Sequence, residues 1–106
     1  KESKIRHLPR TVLGKSVTDK EESYLIKLME LYNGTRSLYK NKKSNVMPDG
    51  KACRQIIELC RQGVSFEAVN ESLFNMFEEP YHKDTTWRHI TPEFMSRIDK
   101  FQKYES

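Results

Sequence analysis

No stretch of this chain is apolar enough for long enough to cross a bilayer, and none has the pattern of a secretory leader. Cysteine is scarce: the 106 residues hold only Cys53 and Cys60. Both fall in one expected helix, two turns and roughly 10 Å of rise apart, which is too far for a disulfide between them. They read as small buried hydrophobes in a reducing compartment. Histidine is sparse as well, and His7, His82 and His89 match no zinc spacing, so no metal and no cofactor is expected. A nucleotide-binding glycine loop is missing, and so is any Ser/His/Asp or Cys/His arrangement with supporting spacing. The carboxylates mostly sit at capping or solvent positions, and no enzyme is expected.

What is present suits a small helical domain. Hydrophobic residues make up 36% of the chain and charged residues 32%, so the core is thin and the eleven aromatics must fill much of it. The chain opens on Lys1 rather than methionine, as a fragment excised from a longer protein would. The net charge of +4 hides an asymmetry. Residues 1–45 carry eleven Lys/Arg against five Asp/Glu, whereas residues 46–106 carry eight against ten. A half this basic is a candidate for an anionic partner, most often nucleic acid.

Residues 1–17 show no sustained period and contain Pro9 and Gly14, so they read as a basic arm or linker, with Ile5, Leu8, Val12 and Leu13 available to pin it. The helical domain is expected over 18–106. Thr18 and Glu21 form a capping box for a first helix over 19–33, whose stripe is Leu25, Leu28, Met29 and Tyr32 and whose stop is Asn33-Gly34. Residues 35–46 then read as a long polar loop. A second helix over 49–62, with Pro48 in its first turn, carries Ala52, Cys53, Ile56, Ile57 and Cys60 on one face and ends at Gly63. Ser65 caps a third helix over 66–78, with Phe66, Val69, Leu73 and Phe77 as its stripe and Val64 placed to staple onto Val69. Residues 78–86 read as a connection. Thr91-Pro92-Glu93 then starts a last helix over 92–103 that buries Phe94, Met95, Ile98 and Phe101. The expectation is an all-α fold, a small bundle of about four helices with no sheet.

Two motifs bear on function. The helix–Gly–helix over 49–78 has the look of a helix-turn-helix, but its second helix offers Glu67, Asn70, Glu71, Ser72 and Asn75, with no Lys or Arg between Ser65 and Pro80. Such a face meets phosphates unfavourably and has no arginine for guanine, so the pair reads as a packing motif. The loop at 35–46 is different. Arg36, Lys40, Lys42 and Lys43 surround Tyr39, a pattern suited to gripping phosphates beside a ring that stacks on a base if exposed. Lys4, Arg6 and Arg10 of the arm are candidates to join them. Leu38 and Tyr39 are alternatively anchors of the loop on the core.

Three segments carry a family resemblance. Leu25–Gly34 (LIKLMELYNG), Arg54–Leu73 (RQIIELCRQGVSFEAVNESL) and Trp87–Tyr104 (WRHITPEFMSRIDKFQKY) together resemble the C-terminal domains of bacteriophage replication proteins, which are similar to the DnaD-like helical domains of bacterial primosome proteins. The chain departs from that pattern in its basic loop and at Glu78-Glu79. The resemblance implies an accessory domain of a phage-type DNA replication protein in a bacterial host's cytoplasm. Its expected partners are DNA, single-stranded if Tyr39 stacks, and host replication proteins such as a helicase or its loader, with no membrane. The alternative is a protein-interaction module, regulatory or structural, that binds no nucleic acid.

Overall fold

Thr18 does what the capping box requires: its Oγ1 accepts from the Glu21 N–H at 3.2 Å, and Glu21 Oε1 accepts from the Thr18 N–H at 3.1 Å. The computed structural model describes residues 10–12, 14–41 and 45–105. Within them the chain forms a hairpin and six helices: β1 (Thr11–Val12), β2 (Lys15–Ser16), α1 (Asp19–Lys40), α2 (Gly50–Arg61), α3 (Phe66–Glu78), α4 (Pro80–Asp84), α5 (Pro92–Ser96) and α6 (Ile98–Tyr104). The all-α class stands. The core lies where α1, α2, α3 and the last helices meet, around Leu25, Leu28, Ile56, Leu73, Phe77 and Met95.

The α2–α3 junction is built as its sequence requires. Gly63 takes φ +80°, its N–H reaches Cys60 O at 3.0 Å, and the Val64 N–H reaches Leu59 O at 3.1 Å. Those two bonds satisfy the last carbonyls of α2 and turn the chain sharply. Ser65 Oγ then accepts from the Ala68 N–H at 3.2 Å, and Tyr24 on α1 donates to Val64 O at 2.8 Å, fixing the turn against the first helix. The start of α2 is shifted by one residue: Asp49 accepts from the Ala52 N–H at 2.8 Å, so helix begins at Gly50 and Pro48 precedes the cap.

The largest departure is α1 itself. It does not stop at Asn33-Gly34 but runs on to Lys40, so the expected loop over 35–46 is half helix. Asn33 explains this. Its Nδ2 donates to Met29 O and Val46 O, both at 3.1 Å, while its Oδ1 accepts from the Val46 N–H at 2.7 Å. The side chain that looked like a terminator clamps the returning chain instead. Beyond it, burial of Tyr39 supports the added turns, and Asn41, left-handed at φ 55°, ends the helix with its N–H on Ser37 O.

Other expectations are corrected at finer scale. A sheet exists, a minimal antiparallel hairpin pairing Thr11 with Ser16 and Val12 with Lys15. Arg61 of α2 holds it, donating to the Val12 and Lys15 carbonyls and to Ser16 O, while its Nε lies 2.8 Å from Glu21 Oε2. That bond holds the Glu21 carboxyl below its ordinary range. Val12 is buried and pins the arm; Ile5, Leu8 and Leu13 lie outside the described residues. The connection over 78–86 contains α4, one turn started by Pro80.

The last helix breaks in two at Arg97, which is extended at ψ 133°. Ser96 Oγ lies 2.7 Å from Pro92 O and 3.0 Å from Gln55 Oε1, closing α5 onto itself and onto α2. The break swings α6 onto α3, where Ser72 is buried with its Oγ 3.5 Å from Phe101 O and Asn75 donates to Tyr104 O at 2.7 Å. Two residues expected on the open face of α3 therefore serve packing, and Ile98, expected in the core, is 40% exposed.

Candidate nucleic-acid interface

The end of α1 carries the charge expected of a loop. Arg36 and Lys40 stand four positions apart, so they share one helical face, and both are half-buried. Lys40 in the last turn also complements the helix dipole. Tyr39 anchors this end. Its ring stacks on Phe77 with centroids 5.1 Å apart, and it meets Trp87 at 5.9 Å and Phe74 at 6.1 Å. Its hydroxyl donates to Glu78. Burial, aided by that carboxylate, pushes the Tyr39 phenol up to about 12. The Tyr39 hydroxyl in turn, joined by Lys83 Nζ at 3.0 Å, holds Glu78 below the usual carboxylate range. With its ring packed on α3 and Trp87, Tyr39 is the anchor of the alternative reading rather than an exposed platform for a base.

Trp87 is placed by an unusual backbone. Thr86 and Trp87 are both left-handed, at φ 55° and 57°. The Trp87 N–H reaches His82 O at 2.7 Å and its indole donates to Phe77 O at 2.8 Å, paying for part of that strain. Tyr32, two turns before Tyr39, donates to Ile90 O at 2.6 Å and fixes the other end of this link to α1.

The remaining expected contacts are scattered. Arg10 is exposed and sits at the hairpin, where the Val17 N–H bonds its carbonyl at 3.0 Å. The hairpin adjoins the first turn of α1, and a helix of 22 residues spans about 33 Å. Arg10 and Lys40 therefore lie at opposite ends of α1 and do not form one site. Lys4, Arg6, Lys42 and Lys43 lie outside the described residues.

A second cationic and aromatic cluster escaped the sequence reading. It lies where α4 and the link after it face α6, and brings Tyr81, His82 and His89 together with Lys100, Lys103 and Tyr104 around a cavity of about 440 Å³. His82 is buried and burial lowers its pKa. Its Nε2 lies 3.3 Å from both Tyr104 Oη and Glu79 Oε1, and the Tyr104 hydroxyl donates to the same carboxylate. Lys100 and Lys103 stood at helical spacing in the sequence, but nothing there showed that α4 folds back to meet them.

Among the described residues no group of three or more His, Cys, Asp or Glu side chains is placed to hold a metal ion, and no helix is long and apolar enough to cross a membrane. Compared with protein-family models, curated proteins and solved structures, the chain matches none of them.

Proposed function

We propose that this chain is an accessory domain of a phage-type DNA replication protein, and that it binds DNA through the basic end of α1 and the residues that follow it. The observation that carries the reading is the placement of Arg36 and Lys40 on one face of a helix end made rigid by Tyr39. Lys42 and Lys43 follow closely in the sequence and extend the same run of charge. The acidic pair at which the chain departs from the family pattern is engaged internally: Glu78 with Tyr39 and Lys83, Glu79 with Tyr104 and His82. Contacts of this kind grip the phosphate backbone without reading bases, so sequence preference is weak. Contact with a helicase or its loader belongs to the same reading and rests on the family resemblance.

The test is a titration of labelled single- and double-stranded DNA with wild type and a Lys40/Lys42/Lys43→Ala triple variant at several salt concentrations. Affinity of the wild type falls linearly in log salt with a slope that counts phosphates, and the variant binds more weakly with a shallower slope. Wild type that binds neither DNA at low salt overturns the reading. A second reading, an interaction module without nucleic acid, is favoured by Leu38, next to Tyr39 in the sequence, and Phe74, which meets the Tyr39 ring; they are 79% and 50% exposed. An apolar partner bound there is held with little dependence on salt.

A further inference from the structure

The cavity between α4, the 87–91 link and α6 combines two features that single-stranded nucleic acid needs together. The first is a stacking platform. Tyr81 is 57% exposed, and its ring lies nearly parallel to that of His89, 12° apart with centroids at 5.9 Å. His82 backs Tyr81, meeting it edge-on at 5.3 Å and Phe94 edge-on at 5.4 Å. The second is fixed positive charge. Lys100 Nζ sits 5.2 Å from the Phe94 ring centre and Lys103 Nζ the same distance from Tyr104, so both ammonium groups are held over aromatic faces at the cavity. The carboxylate lining the same cavity, Glu79, already accepts from Tyr104 and faces His82. What the cavity offers a ligand is therefore flat rings and two cations set against one carboxylate.

The position agrees with the chemistry. The link that carries His89 is bound to α1 through Tyr32 and Ile90, and Trp87 of the same link packs on Tyr39. His89 at the cavity thus belongs to the same link whose Trp87 touches the α1 end that bears Arg36 and Lys40. Arg88 of the same link is exposed, and its Nε lies 3.5 Å from His89 Nε2.

We propose that this cavity receives one nucleotide of a single strand, its base stacked on the Tyr81–His89 pair and its phosphate met by Lys100 and Lys103. A base stacks on an aromatic ring whatever its identity, so the site adds preference for unpaired strands rather than for sequence. The inference rests on the DNA-binding reading above, and locates a base contact that the basic end of α1 does not supply.

The experiment measures fluorescence anisotropy with a labelled deoxythymidine oligomer, the same oligomer made abasic at its centre positions, and a duplex. Wild type, Tyr81→Ala and Lys100→Gln/Lys103→Gln are compared across salt concentrations. Wild type should bind the intact strand about ten-fold more tightly than the abasic one, and Tyr81→Ala should erase most of that difference. The lysine pair variant should keep the preference for bases and lower the salt slope by about 1.4 on single strands. Tyr81 is largely exposed, and melting curves verify that each variant is folded. Equal wild-type affinity for intact and abasic strands overturns the cavity while leaving backbone binding by α1 in place. Unchanged binding by both variants does the same. No binding of any DNA at low salt overturns both readings. Thymidine monophosphate binding as tightly as the oligomer overturns the strand as occupant in favour of a free nucleotide.

Discussion

The bond from Tyr32 Oη to Ile90 O gives a clean measure of how far the link after α4 depends on α1. It is 2.6 Å long, buried at both ends, and joins residues 58 positions apart in sequence. Tyr32→Phe removes one oxygen and keeps a ring that is 3% exposed, so packing barely changes. What changes is the Ile90 carbonyl, left in the interior without its donor. A buried acceptor stranded in this way costs about 1–3 kcal/mol, more than the net worth of an ordinary hydrogen bond. For a domain of about 100 residues each kcal/mol lowers the melting temperature by roughly 4–8 °C. The expected fall is therefore about 4–24 °C, followed by helical circular dichroism, with the urea midpoint lowered and the slope unchanged. A variant melting within about 2 °C of wild type would refute the claim that this bond holds the link to α1.

Two further outcomes follow from the interior. Leu73 and Ile56 are completely buried, so truncating either to alanine should cost about 2–5 kcal/mol, and urea unfolding that shows less than about 1 kcal/mol for both misplaces the core. Burial pushes the Tyr24 and Tyr32 phenols up to about 12 from 10.0. The folded chain keeps them neutral where the unfolded chain ionises them, so their contribution is whole below pH 10 and is lost as pH rises towards 12. Melting temperature should fall across that window, and fall less steeply in Tyr32→Phe; equal slopes in the two proteins contradict the assignment.

The elements legible in the sequence were those whose signals are local. The Thr18–Glu21 box, the Asp49-to-Gly63 helix and the Ser65 cap each depend on neighbours within four or five residues, and each formed with at most a one-residue shift. The misread ones depend on partners far along the chain. Asn33 ends helices often enough, but here Val46 claims its carboxamide. Ser96 and Arg97 break the final helix because Gln55 and α3 give the two halves different seats. The candidate site divides in the same way. Arg36 and Lys40 were visible as a cluster because they are close in sequence, whereas their separation from Arg10 follows from the full length of α1. The cavity around His89 needed α4, α5 and α6 to fold together before its lysines and rings met.

In mechanical terms α1 is a ruler. Arg61 fastens the hairpin near its first turn, and Arg36 and Lys40 ride on its last turns, so whatever grips each end is kept about 30 Å apart. Adding or deleting a single turn would move the basic end by roughly 5 Å, about the distance from Tyr39 to Phe77 and Trp87, and so would pull Tyr39 off both rings. The ruler has one soft mark. Gly34 lies in the helix interior with nothing within 4 Å of where its Cβ would be, and a glycine there loosens a helix by about 0.5–1 kcal/mol. Asn33, immediately before it, ties that point to Val46 on both sides of its carboxamide. The fixed spacing between the two ends of the domain thus depends on the return of the chain after Lys40, not on the helix alone.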